Sequence, residues 1–261
     1  MRALRIVRVV LGCGALLCLP AAARAQQAVI VREAPPLVEQ AAGSGAFSPL
    51  VLSAAIVPER ALVLGTGGYD TARQGAIFDS AAEVRVWGPI ALRAEVVYSD
   101  DTRSMRPSIS GRLQLLRQGA HGVDGTLTSA FKTEGFNEVE GEIETTLAIG
   151  RRFDSYYLLG NVAYGQDPEG NERDGELRGS LLHTEGRGVF GVEARARTAI
   201  GPQHGPNSGL EPRADAVGGL LGMLSLRTFA LYAEIGPSAV KLPATDFRWG
   251  VASWAGVATI F

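Results

Sequence analysis

The chain has 261 residues and a net charge of −2, with 20% of its residues charged and both signs spread along its length. No basic stripe or basic tail stands out, which argues against nucleic acid as a partner. The two cysteines, Cys13 and Cys18, both fall within the first 25 residues. The chain beyond residue 25 therefore holds no thiol for a disulfide, a zinc thiolate site or a cysteine nucleophile.

Residues 1–25 read as a secretory signal. Arg2, Arg5 and Arg8 precede an apolar run from Val9 to Leu19, and small residues then lead to Ala23-Arg24-Ala25. The run is shorter than the roughly 20 residues a spanning helix needs, so its expected fate is cleavage, leaving Gln26 first. A lipoprotein-type site at Val10-Leu11-Gly12-Cys13 fits less well, because too little apolar chain separates Arg8 from Cys13. Residues 26–59 are rich in Ala and interrupted by Pro35, Pro36, Pro49 and Pro58, with neither helical nor alternating periodicity. We read them as a lead-in, or as an insert into whatever the remainder builds.

From Arg60 to the end the pattern becomes segments of about ten residues with dyad alternation, bounded by Gly, Pro, Asp or Asn. No later apolar run reaches the length of a spanning helix, so any membrane crossing must use strands, and strands span lipid only as a closed barrel. In 90–99, Ile90, Leu92, Ala94, Val96 and Tyr98 share one face while Arg93, Glu95 and Ser99 share the other. In 138–149, Glu138, Glu140, Glu142 and Glu144 oppose Val139, Gly141, Ile143, Thr145, Leu147 and Ile149. Leu177, Gly179 and Leu181 oppose Glu176, Arg178 and Ser180, and Phe190, Val192, Ala194 and Ala196 oppose Glu193, Arg195 and Arg197.

The same rule predicts strands near 60–70, 80–87, 90–99, 107–117, 122–132, 138–150, 155–166, 174–183, 188–199, 214–226, 229–237 and 247–261. The total is about twelve, an even number that puts both chain ends on one side of the membrane. Short links at Gly88-Pro89, 118–121, 151–154, 184–187 and Arg227-Thr228 alternate with longer ones at 71–79, 100–106, 133–137, 167–173, 201–213 and 238–246. Short periplasmic turns and longer outer loops give this alternation. The prediction is an all-β, antiparallel up-and-down transmembrane β-barrel over residues 60–261. Tyr156 and Tyr164 sit at the two ends of one outward row, where interfacial aromatics belong.

The chain closes Trp254-Ala255-Gly256-Val257-Ala258-Thr259-Ile260-Phe261. An alternating last strand ending in an aromatic resembles the C-terminal assembly signal of Gram-negative outer-membrane barrel proteins. Ser253, Ala255 and Thr259 depart from it, standing where bulkier apolar residues are common. The resemblance implies an outer-membrane location, with lipid, lipopolysaccharide and the outer-membrane assembly machinery as partners, and it makes Phe261 the recognised end.

The face opposite lipid is the lumen, so the candidate functional residues are the alternating charges Arg93, Glu95, Glu138, Glu140, Glu142, Glu144, Arg178, Glu193, Arg195 and Arg197. The glutamates gather on one strand and the later arginines on two others. In a wet lumen, such separated rows would set a transverse field acting on small polar solutes. The competing expectation is a closed core of interlocked ion pairs. Catalysis has less support. The three histidines are His121, His183 and His204, and although some barrels of this size are lipid hydrolases, His183 adjoins a short turn without a Gly-x-Ser-x-Gly elbow. No His-Glu-x-x-His spacing suggests a metal, and the oxygen-rich stretch 167–174 lacks the glycine placement of a calcium loop. No cofactor is expected.

Overall fold

Period-two alternation becomes twelve strands in the computed structural model, which describes residues 50–56, 61–100, 104–133, 141–168, 172–201, 212–226, 229–243 and 245–260. The strands are β1 (Ala61–Asp70), β2 (Gly75–Trp87), β3 (Ile90–Ser99), β4 (Ser104–Leu116), β5 (Asp124–Thr133) and β6 (Gly141–Phe153). They continue as β7 (Tyr156–Gln166), β8 (Arg173–Glu185), β9 (Gly188–Ala199), β10 (Ala214–Ser225), β11 (Phe229–Lys241) and β12 (Phe247–Ile260). Each pairs antiparallel with its neighbour in sequence, and β1 pairs with β12 to close the barrel. No sheet edge is left open, as a wall surrounded by lipid requires.

One end of the barrel carries tight hairpins. The first residue of each two-residue turn, Gly88, Asp154 or Gly186, has φ of 50°, 50° or 55°, the conformation that matches the twist of adjoining strands. At this end the β4–β5 connection holds a single helical turn, α1 (Gln118–His121), where the sequence suggested a plain turn. The Gln118 side chain reaches the β6–β7 hairpin, donating to the Arg152 carbonyl at 2.6 Å and accepting from its N–H at 2.7 Å. The opposite end carries the longer links.

Several strands run farther toward the long-loop end than alternation alone predicts: β2 begins at Gly75 and β11 ends at Lys241. Beyond the apolar band outward positions need not be apolar, so the signal used to find strands fades there while the hydrogen-bond ladder continues. Residues 1–49, with the signal and most of the Ala-rich stretch, lie outside the described residues, as do Glu138, Glu140 and Phe261.

The outer surface is apolar in the middle and aromatic at both rims. Leu92, Ile143, Leu147, Leu158, Val162, Leu177 and Val192 are exposed on the wall. Tyr69, Phe78, Tyr164, Phe247 and Trp249 ring the long-loop end, and Trp87, Phe153, Tyr156, Phe190 and Phe229 ring the turn end. Rings with one apolar and one wet side favour these two levels.

Inside, glycines let large rings lie flat along the wall. A Cβ at Gly68 would strike the Trp254 ring, one at Gly256 the Tyr232 ring, and one at Gly150 the Tyr157 ring. The Tyr232 and Thr66 hydroxyls then meet across β12. These rings join inward Leu62, Leu159, Leu182, Val189, Leu221 and Met223 in an apolar core enclosed by the barrel.

Candidate functional site

The lumen is divided by level. Its upper half, toward the long loops, is a cavity of about 340 Å³ lined by charges of both signs. Arg93, Glu95, Glu142, Glu144, Arg178, Arg195 and Arg197 all line it. Glu193 also faces inward but lies below the cavity, 3% exposed. Lining residues that alternation assigns to loops, or does not single out, include Arg73, Asp79, Asp174 and Asp215. Arg73 and Asp79 belong to a stretch that alternation reads as loop; the signal available for Asp79 is its shared parity with Glu83.

The charges form a belt. Lys132 of β5 pairs with Glu144 of β6, whose other oxygen lies 3.9 Å from Arg178 of β8. Arg178 pairs with Glu176, and Glu176 stands 3.9 Å from Arg195 of β9. Arg195 meets Asp215 of β10 at 2.6 Å, and Arg73 meets the second oxygen of Asp215 at 2.9 Å. Arg73 then lies 3.7 Å from Asp70 of β1, which accepts from the Ser238 hydroxyl at 2.7 Å. Beside the belt, Arg197 pairs with Asp174 at 2.9 Å and Arg93 with Glu95 at 3.2 Å.

The expected separation of acidic from basic rows is therefore not what the described residues build. β6 and β8 are separated only by β7, so Glu144 and Arg178 meet on one stretch of wall instead of opposing each other across the lumen. Interleaved pairs cancel the transverse field at short range and leave local dipoles around the cavity.

The floor consists of Leu50, Leu52, Val217 and Trp254. Two of these precede β1: the segment 50–56 lies within the barrel, with Leu50, Val51, Ala54 and Ile56 at 5% exposure or less. Backbone in a dry interior needs partners for its N–H and C=O groups, and wall side chains supply them. Asn161 of β7 accepts from the Leu52 N–H at 2.6 Å and donates to the Leu52 carbonyl at 2.9 Å. Arg112 of β4 donates to the Ser53 carbonyl at 2.6 Å, and Thr126 of β5 to that of Ala54 at 2.6 Å. Arg112 also pairs with Glu83 of β2. Asn161 is the lone amide on an otherwise apolar inward row of Tyr157, Leu159 and Ala163, and that break is its signal in the sequence.

His183 faces the outer wall at the turn end. Its ring packs against Tyr156, 4.8 Å between centroids, as part of the aromatic rim. Among the described residues no group of three or more His, Cys, Asp or Glu is arranged to hold a metal ion.

A closed, even-stranded antiparallel barrel with an apolar waist, two aromatic rims and a charged interior defines the class: this is an outer-membrane β-barrel protein. Among solved structures it is similar to the NanC porin, with a TM-score of 0.54 and 8% identity over 76% of this chain and 99% of that one. It is likewise similar to the KdgM porin, with a TM-score of 0.53 and 11% identity over 77% and 99%. LpxR from Salmonella typhimurium stands at 0.50 and 4% identity over 77% and 100%. At such identities the likeness is one of fold. No protein-family model matches the sequence, and comparison with curated proteins finds no match.

Proposed function

We propose that the protein is a non-catalytic outer-membrane channel for small polar solutes, held shut in the conformation described by the segment 50–56. One observation carries this reading. The lower lumen is occupied by a chain segment that is not part of the wall and that is hydrogen-bonded to Arg112, Thr126 and Asn161 among the described residues. A segment seated in the lumen without belonging to the hydrogen-bonded wall is an element that can leave. Above it, the vestibule offers charges of both signs to polar solutes. The two neighbours described as porins fit this reading. In it, lipid and lipopolysaccharide surround the wall, and the assembly machinery reads the end at Phe261.

A second reading has its own observation. Leu62, Leu159, Leu221 and Met223 belong to the wall and would stay in the lower lumen if the strap left. The protein would then be a closed barrel whose vestibule binds solutes at the cell surface. Purified protein in planar bilayers separates the two. The channel reading expects low conductance from the intact protein, a marked rise on removing residues 26–59, and a smaller rise for Asn161→Leu, which cuts both hydrogen bonds to Leu52. No conductance from a correctly folded truncated protein would reject the channel in favour of the closed barrel.

A further inference from the structure

Directly below the vestibule floor, strands β8 to β11 bring together three polar groups. Ser180 of β8 and Glu193 of β9 are ladder partners, and Glu193 in turn pairs with Gly219 of β10. Gly219 has no side chain, and Glu234 of β11 uses the space. Its Cγ and Oε1 each lie 2.7 Å from where a Cβ on Gly219 would sit. The Glu234 carboxylate is thereby laid over β10, toward the Glu193 side. Ser180, Glu193 and Glu234 are 5%, 3% and 2% exposed. Val217 of the floor lies two residues above Gly219 on β10, and Trp254 stands beside Glu234 as its ladder partner.

Other buried acids of the lumen come with a base supplied by the sequence: Glu83 has Arg112, Glu144 has Lys132, Glu176 has Arg178 and Asp215 has Arg195. Glu234 breaks that pattern. Neither of its oxygens, nor the Ser180 hydroxyl, has a hydrogen-bond partner among the described residues. A carboxylate out of water without donor or counter-charge is strongly unfavourable, and a second acid nearby makes it more so. Every group in the cluster presents oxygen, the donor that hard cations take.

We propose that Glu234, Glu193 and the Ser180 hydroxyl hold a hard metal cation of the sodium or calcium kind, sealed beneath the vestibule. The cation supplies the counter-charge that Glu234 lacks among the described residues and ties β8, β9 and β11 together across Gly219. The site does not depend on the channel reading: it is read through stability, and a barrel that never conducts can still bind the ion.

The test uses the full chain, folded in detergent, freed of metal by chelation and held at pH 8 and constant ionic strength with choline chloride. Sodium and calcium are titrated separately, and the temperature at which the heat-modifiable gel band converts is recorded. The proposal expects one of them to raise that temperature steadily with the logarithm of its concentration. Glu234→Gln, similar in shape and uncharged, should lose the dependence while being no less stable than the wild type without metal. Ser180→Ala should weaken binding by about tenfold. Calorimetry should find one ion per barrel that disappears in Glu234→Gln. A wild-type transition that responds to neither cation overturns the site, as does an equal response in Glu234→Gln or stabilisation by acid alone. Should Glu234→Gln fail to fold, unchanged affinity in Ser180→Ala overturns it.

Discussion

Replacing Arg112 with methionine probes what holds the lower lumen together. The guanidinium pairs with Glu83, donates to the Ser53 carbonyl at 2.6 Å and to the Thr128 hydroxyl at 3.3 Å. The Arg112 and Glu83 side chains are each 1% exposed, so water does not screen the pair. Removing one partner of a buried ion pair costs about 3–5 kcal/mol, because the other charge stays buried. The charged hydrogen bond to Ser53 is worth about 1.5–3 kcal/mol, but it belongs to the same guanidinium and is not simply added. Arg112→Met should therefore lose about 4 kcal/mol. Adding Glu83→Gln removes the remaining buried charge but not the lost tether, so the double variant should sit only about 2 kcal/mol below wild type. Urea titrations in lipid vesicles, followed by tryptophan fluorescence and gel mobility, measure both. A single variant within about 1 kcal/mol of wild type, or a double variant no more stable than the single, would refute the reasoning.

Four further outcomes are expected. Leu147→Arg, on the exposed apolar waist, should cost about 2–4 kcal/mol, and cysteines at Leu92, Val96, Ile143, Leu147 and Val192 should resist water-soluble thiol reagents that label Ala130→Cys in the vestibule; rapid labelling at the waist would reverse the assignment of faces. Deleting Phe261 should lower the amount of protein recovered in the outer membrane at native expression, and normal recovery would remove the assembly role given to it. Converting Glu138, Glu140, Glu142 and Glu144 together to Gln in the strap-deleted protein should shift the reversal potential toward anions, since Lys132 and Arg178 lose a shared partner; an unchanged potential would show that these glutamates do not face the conducting path. Gly256→Val should destabilise by about 1–3 kcal/mol, because its Cβ would meet both the Tyr232 ring and the Gly65 carbonyl, and a neutral result in urea unfolding would mean that neither lies against that glycine.

Alternation made the wall legible because each strand must separate lipid from lumen residue by residue. The parity of Ile143 against Glu142 and Glu144, or of Val192 against Glu193 and Arg195, appears unchanged in three dimensions. What fills the lumen was not legible. The meeting of Glu144 with Arg178, or of Arg73 with Asp215, depends on closure and on the register across intervening strands, which no local pattern encodes. Residues 50–56 carry no periodicity at all, since their order comes from side chains far along the chain. The turn of helix at Gln118–His121 was equally silent, because four residues are too few to display a helical period.

The strap also constrains how the protein is made. Its tethers to Arg112, Thr126 and Asn161 span 59, 72 and 109 residues, so none of them forms until β4, β5 and β7 exist. The segment precedes β1 in the chain, yet its seat is built by strands that come later. The seam between β1 and β12 joins residues from opposite ends of the barrel, the longest-range ladder in the chain and the slowest kind to close. Filling the lower lumen is thereby tied to the order in which the wall forms, since the strap's partners stand on strands far along the chain.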